Sequence, residues 1–326
     1  MAQAPFPITS APLTAIALNY AGINRTARGY VADMVAPRIR VPDQLFRWSR
    51  SSIAEAFTQY DSQIDRLGKA NEILQSWTED TAQTVDYALR QPVPYRDEAS
   101  ARAQSIPFNL KVQAVRNVID KVQLNREIRV AALCNTIGNY SAGYTDDMTS
   151  ETTLKWSALA TSDPVADIID AAAGMLIPPT VGVTSRKVMN ILKRHPKVSV
   201  ALGGSQDSGR YVPDQEIATL LGLEKIIVGN TLKQTSKRGQ TVATGAIWGD
   251  HFALHYQGAT GPDGMGMDMA SPNFLTTFQW NDMVSSETEF APGDMGLYGG
   301  IKVLTGESVV EKQVAPFAGY FFQSVL

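Results

Sequence analysis

The sequence predicts an α+β chain: one long amphipathic helix, an α/β module after it, and strand-rich segments on either side. Three observations predict this. Apolar residues step by three and four over 108–133, capped helices alternate with short β-branched strands over 162–257, and turn-rich strand text fills the stretches before Val93 and after Gly258. The 326 residues, 44% apolar and 19% charged, suit a globular chain of about two domains at roughly 150 residues each.

Taken in order, residues 1–50 carry Pro5, Pro7, Pro12, Pro37 and Pro42, show little helical periodicity, and sum to +4, with Arg25, Arg28, Arg38, Arg40, Arg47 and Arg50 against Asp33 and Asp43. A proline-punctuated basic segment with apolar stretches at 15–18 and 31–35 predicts an extended strap lying across another subunit. From 46 to 93, Trp48, Phe57, Tyr60, Trp77, Val85, Tyr87 and Leu89 stand among polar residues, and 51–105 sums to −4. Neighbouring segments of opposite sign predict surfaces that meet complementary segments on adjacent molecules.

The long helix follows, with Val112, Val115, Ile119 and Val122 on its face and Leu124, Ile128 and Ala131 continuing it. At ~1.5 Å per residue it spans ~40 Å, a structural spine. Its charged residues (Lys111, Arg116, Asp120, Lys121, Arg126, Glu127, Arg129) are expected on a solvated side. Asp163 before Pro164 reads as an N-cap with proline at the first helical position, and Ser185 as a second N-cap. Strands are expected at 180–184, 225–228 and 246–256, and helices from 185 to Pro196 and at 215–221. The last seventy residues return to strand and turn with a local −6.

The composition excludes several classes. A formal charge of −3 gives no global field toward nucleic acid or an anionic membrane. Cys134 is the single cysteine, and Ala131, Ala132 and Leu133 beside it predict a buried thiol rather than a nucleophile. No basic residue precedes Arg25 and the apolar stretch 13–18 is short for a signal peptide, so secretion by that route is not expected. The longest apolar run, 171–183, contains Pro178 and Pro179 and falls short of the ~20 residues of a membrane span.

Catalytic, cofactor and metal sites are all expected to be absent. His251 and His255 have the i, i+4 spacing of a helical zinc pair, but Phe252, Leu254 and Tyr256 alternate as in a strand, which sets the two histidines ~13 Å apart. His195, before Pro196, is expected to cap a helix C-terminus. Gly306-Glu307-Ser308-Val309-Val310 lacks the second glycine of a nucleophile elbow. Gly258, Gly261, Gly264 and Gly266 read as turn residues, and Met265, Met267 and Met269 as packing residues.

Several blocks then resemble, in the right order, the major capsid proteins of tailed phages with the Hong Kong 97-like fold. Val35-Ala36-Pro37-Arg38-Ile39 with Val41-Pro42 is similar to the family's arm, and Glu127-Ile128-Arg129-Val130-Ala131, followed by Asn139-Tyr140, to the end of its spine helix. Trp156 with Ser162-Asp163-Pro164-Val165-Ala166-Asp167-Ile168, then Leu192-Lys193-Arg194-His195-Pro196-Lys197-Val198 and Ile247-Trp248-Gly249, resemble its axial module. The resemblance implies an N-terminal arm at 1–46, an extended β-hairpin loop at 47–89, and a peripheral domain at 90–161 holding the spine helix. It further implies an axial domain at 162–257, a peripheral return at 258–305, and a C-terminal strand at 306–326 in the axial sheet.

It also implies self-assembly as pentamers and hexamers into an icosahedral shell that encloses double-stranded DNA without reading its sequence, assembled in the host bacterial cytoplasm. A separate scaffolding protein, a portal and a decoration protein are the other partners implied, and no membrane. Inter-subunit contacts are expected at Arg25, Arg28, Arg38, Arg40, Trp48, Phe57, Tyr60, Lys69 and Trp77. Some relatives join subunits by a lysine-to-asparagine bond. Lys69 with Asn273 or Asn281 is the pair to consider, against the simpler reading of an exposed lysine. A cellular encapsulating shell and a soluble α/β enzyme are the alternative readings.

Overall fold

The computed structural model describes residues 11–51, 59–64, 68–70, 72, 77–103, 109–151, 153–204, 212–237, 239–258 and 273–326. Phe57, Phe108 and the glycines and methionines of 261–269 lie outside them.

The arm begins with a helix, contrary to the expectation of an extended strap. Helix α1 (Ala11–Arg28) places Pro12 in its first turn, where a missing N–H costs nothing. Leu13, Ile16, Ala17, Tyr20 and Ala21 have helical spacing and pack against Ala114, Val115 and Ile119 of the spine and Met283 and Val303 of a sheet. The proline count of the segment masks this period. A short helix α2 (Ala32–Val35) and strand β1 (Arg38–Arg40) follow.

Strands β2 (Leu45–Ser51) and β3 (Trp77–Gln83) form an antiparallel hairpin pairing Leu45 with Gln83 through to Ser51 with Trp77. Strand β4 (Val85–Pro94) leads into the exposed helix α3 (Tyr95–Ala103). The expected excursion to residue 89 therefore ends at Thr84, because Val85 already pairs with Val309.

The spine is helix α4 (Leu110–Cys134), 25 residues or ~37 Å, with Asn109 as N-cap accepting from the N–H groups of Lys111 and Val112. Its burial differs from the one-sided expectation: Asp120, Arg126 and Glu127 are buried along with the apolar face. The arm and both sheets pack on this helix, so little of its circumference faces solvent at the C-terminal half.

After strand β5 (Thr145–Asp147), helix α5 (Pro164–Gly174) starts as read, with the Asp163 carboxylate accepting from Ala166 N–H. Strand β6 (Val181–Ser185) runs into helix α6 (Arg186–Leu192), whose N-cap is Ser185. Helix α7 (Pro196–Ala201) corrects the reading of His195. The imidazole caps the start of a helix rather than an end, because Pro196 sits at the first helical position and needs no acceptor. Helix α8 (Asp214–Leu220), strand β7 (Lys225–Gly229), a hairpin of β8 (Leu232–Gln234) with β9 (Thr244–Ala246), and strand β10 (Phe252–His255) complete the module. The single strand expected at 246–256 is interrupted at Gly249, which has a φ of +65°.

Strands β11 (Leu275–Phe290) and β12 (Gly300–Gln313) form a long hairpin, and β13 (Gly319–Gln323) ends the chain's last sheet. One sheet has the order β1-β11-β12-β4 and the other β5-β13-β10-β6-β7. The crossing between them falls at 314–318, not at 306 as expected. Gly306 is not a break: a Cβ there would meet Ala88 and the Tyr87 carbonyl at 2.6 and 2.8 Å, so glycine lets β4 approach β12 while pairing continues.

Two cores flank the second sheet. Val181, Val183, Ile227, Ala253 and Phe321 face Val130, Ala131 and Cys134 of the spine, whereas Phe252, Leu254 and Phe322 face helices α5 to α8. Trp248 lies on the bare backbone of Gly229, where an added Cβ would overlap its indole. Gly229→Ala is expected to destabilise the subunit by about 1–3 kcal/mol, the usual range for overpacking, read as a lower denaturant midpoint at unchanged slope.

Candidate functional site: the junction on the spine helix

Two adjacent buried charges on α4 organise the surroundings. The Glu127 carboxylate is fully buried and accepts from Val31 N–H at 3.1 Å, Ala32 N–H at 2.8 Å, Trp248 Nε1–H at 2.7 Å and the Thr231 hydroxyl at 3.2 Å. Burial raises its pKa above the ordinary value, and these donors offset part of that rise. The clamp thus joins the arm, the spine and the 231–248 segment at one group.

Arg126 points toward the first sheet. Its guanidinium lies 2.5 Å from Asp33, donates to Thr277 at 3.2 Å, and sits 3.9 and 3.8 Å from Glu307 and Glu311. Arg129 reaches Glu311 with two hydrogen bonds of 2.8 and 3.1 Å. Arg38 bonds Asp33 at 2.9 Å and Gln279 at 2.9 Å and pairs with Glu307 at 3.1 Å. Burial lowers the Arg38 pKa, but Asp33 and Glu307 outweigh it and hold the group above its ordinary value. Burial raises Glu307, opposed by Arg38.

Beyond the junction, the remaining polar groups of the core are held in packing roles. Tyr140 donates to the Cys134 carbonyl at 2.7 Å and lies 3.1 Å from His255 Nε2, so the imidazole Nε2–H donates to the tyrosine oxygen. Burial pushes the Cys134 thiol up to about 12, which removes it as a nucleophile near neutrality. His251 accepts Ser324 N–H on Nδ1 at 3.0 Å and is engaged separately from His255. His195 accepts Lys197 N–H at 3.2 Å and contacts the Ser162 hydroxyl at 3.1 Å. Among the described residues no group of three His, Cys, Asp or Glu side chains could hold a metal ion, and no helix is long and apolar enough to cross a membrane.

The residues singled out from sequence do not form one site. Arg38 is engaged within its own chain by Asp33 and Glu307, and Arg40 forms an exposed pair with Asp282 at 2.7 Å. Trp48 is buried within the subunit against Phe46 and Phe278, because β2 folds onto the outer face of the first sheet. Tyr60 and Lys69 are exposed. Phe57 and the side chains of Arg25, Arg28 and Trp77 lie outside the described residues. Asn273 is 1% exposed and its carbonyl accepts from Gly258 N–H, whereas Asn281 of β11 is exposed.

The functional residues missed are Asp33, Glu127, Trp248, Glu307 and Glu311. The junction carries one faint sequence signal, at Arg126, which sits four residues after Val122 and four before Val130, on the apolar step itself.

A long helix flanked by two sheets, with an arm laid on it, a β-hairpin folded onto the first sheet and buried charges spent on internal ties, has the architecture of the Hong Kong 97-like fold. No family model matches the chain. It is 34% identical over 326 residues to the major capsid protein of Pseudomonas phage JBD67, covering 100% of this chain and 99% of that one. The chain belongs to the phage major capsid proteins and builds the head shell of a tailed phage, so its place is the virion. In fold it is similar to a phage-related protein from Bordetella bronchiseptica RB50, with a TM-score of 0.72, 19% identity and 99% of each chain covered. It is also similar in fold to the capsid of cyanophage P-SCSP1u, with a TM-score of 0.57, 11% identity, and 89% and 86% of the two chains covered.

Glu127→Gln leaves one carbonyl where four donors converge and turns an N–H₂ toward some of them. A loss of about 2 kcal/mol is expected, within the range for hydrogen bonds to a charged group, with faster hydrogen exchange at the Val31 and Ala32 amides. Burial pushes His255 down to about 3 from an ordinary 6.5. The unfolded chain therefore takes up this proton as pH falls through about 6.5 while the folded chain does not, and stability drops by about 1.4 kcal/mol per pH unit between those values. Urea midpoints from pH 7 to 4.5 should fall more steeply for the parent than for His255→Gln.

Proposed function

We propose that the chain assembles as pentamers and hexamers into an icosahedral shell enclosing double-stranded DNA without reading its sequence. Assembly takes place in the host bacterial cytoplasm with a separate scaffolding protein, a portal and a decoration protein. The role is structural and the chain carries out no catalysis.

The four-stranded sheet with α3 and α4 is read as the peripheral domain, with α1 of the arm laid on it, and the five-stranded sheet with α5 to α8 as the axial domain. The β2–β3 hairpin, with 52–76 beyond it, is read as the extended loop that overlaps the next subunit. Phe57, Tyr60, Lys69 and Trp77 on that loop and Arg25, Arg28 and Arg40 on the arm remain the proposed contacts, with Lys69 as an exposed charge rather than a cross-link.

The observation that carries this reading is the β11–β12 hairpin tip. Gly293, Gly296 and Gly299 all have positive φ and shape a turn that presents Leu297 and Tyr298 at 77% and 61% exposure. A fixed turn displaying two adjacent large apolar side chains is expected where a neighbouring molecule covers them. The near-neutral total charge agrees with DNA that is enclosed rather than gripped.

Light scattering of the expressed protein tests the reading: megadalton particles with five- and six-fold rings in micrographs are expected, and a stable monomer would overturn it. Arg25→Gln with Arg28→Gln should lower the yield of shells more than the melting temperature of the subunit. A denaturing gel of purified shells should show monomer alone.

A further inference from the structure

The β8–β9 hairpin is a two-stranded ribbon with little cover from its own chain. Leu232, Lys233, Gln234, Lys237, Val242 and Thr244 are all exposed, Val242 at 71%. Such a ribbon is marginal by itself in water and gains stability by lying on another surface. Its sequence is one-signed: 230–249 holds Lys233, Lys237 and Arg238 and no acidic residue. The hairpin continues from β7, which is one edge strand of the five-stranded sheet.

The opposite edge strand of the same sheet is β5, and there the charge reverses. Asp146 of β5 with Asp167 and Asp170 of α5 line a recess of about 360 Å³ beside Tyr144 and Tyr320. These carboxylates press on one another. Asp146 is raised by burial and then by Asp147 and Glu151, and Asp167 by burial and then by Asp146, Asp163 and Asp170, against a lowering bond from Trp156. The Tyr320 hydroxyl is raised by burial and by Asp146 and Asp167. Lys197, 3.6 Å from Asp163, is the cation paired at this edge among the described residues.

In a closed ring of identical copies the contact is head-to-tail, so one edge of each copy meets the other edge of the next. A basic ribbon at one edge and an acidic recess at the other have the arrangement that such a contact requires. We propose that the β8–β9 hairpin of one copy docks on the β5-edge acidic recess of the next copy within a ring. Opposite charge sets the register of the contact, through the face of the ribbon that carries Lys233. The inference rests on the ring arrangement proposed above and names the surfaces that make it.

Charge reversal in the full chain tests it. K233E/K237E should lower the yield of shells by at least ~10-fold, since like charges in a contact cost several kcal/mol. D146K/D170K should do the same, and combining the two sets should restore most of the yield. Circular dichroism melts check that each variant folds. If a reversal unfolds the subunit, K233Q/K237Q replaces it, and shells that dissociate at lower salt than the parent are expected. Unaltered assembly of the hairpin variant, or no recovery on combination, would overturn the proposal. So would intact shells with less packaged DNA, which would assign the hairpin to nucleic acid. Rings from the parent with indifferent variants refute this contact alone, whereas a parent that forms no rings refutes the proposed arrangement as well.

Discussion

The Glu127 carboxylate is the constraint on which the subunit depends. A charge with no access to water is tolerated only if its lone pairs are filled, and the spine helix has no spare donors to fill them. Two amides come from the start of α2, one indole N–H from Trp248 and one hydroxyl from Thr231, groups separated in sequence by about a hundred residues or more from the helix. None can move without leaving the charge short of a partner. The neighbouring Arg126 imposes the same condition on the other side, where Asp33, Glu307 and Glu311 surround it. Consecutive helical residues point about 100° apart, so one turn of α4 fixes both sheets and the arm relative to each other.

This arrangement changes the meaning of the charge in the arm. By sequence the first fifty residues are basic and the last seventy acidic. In the fold part of that opposition is settled inside the subunit, with Arg38 facing Glu307 and Arg40 facing Asp282, and Arg126 of the spine adds a buried cation beside Asp33, Glu307 and Glu311. Buried ion pairs of this kind add little net stability against desolvation, but removing one partner is expensive, so they fix geometry more than they add binding. A shell subunit gains from that property. Errors in the relative placement of its parts would multiply over many copies, whereas excess stability brings no benefit to closure.

The sequence shows the elements with a local physical cause. The Asp163-Pro164 start of α5, the Ser185 cap of α6 and the period of α4 are read correctly because each is decided within a few residues. Three features were read differently for reasons that are also local to understand. Prolines at 5, 7 and 12 hide the helical spacing of Leu13, Ala17 and Tyr20. Pro196 reads as a stop by local pattern, although the same residue type is favoured at a helix start, and the His195 that caps that start is held by Ser162, thirty-three residues away. Gly306 was taken as a boundary, although its absent side chain serves an approach between strands that no local pattern encodes. The junction residues were the least legible. A charged residue on an apolar step reads as an irregularity until the partner that neutralises it is brought in by the fold.

The same logic separates what the subunit satisfies alone from what it leaves open. The buried charges of the junction are met internally by ion pairs or by converging donors, and the cores are filled by the chain's own side chains. Among the described residues, the most exposed large apolar side chains lie at projections: Leu297 on the glycine-shaped tip at 77% and Val242 on the ribbon at 71%. A monomer selected for solubility has no reason to hold large apolar groups rigidly at separate extremities, since each costs hydration and none contributes to its core. In a closed shell each contact is repeated by symmetry, so interfaces that are individually small become decisive when the last copy completes a ring. Rigid interior ties and modest exposed projections therefore belong together. The first make every copy the same shape, and the second need that sameness in order to close.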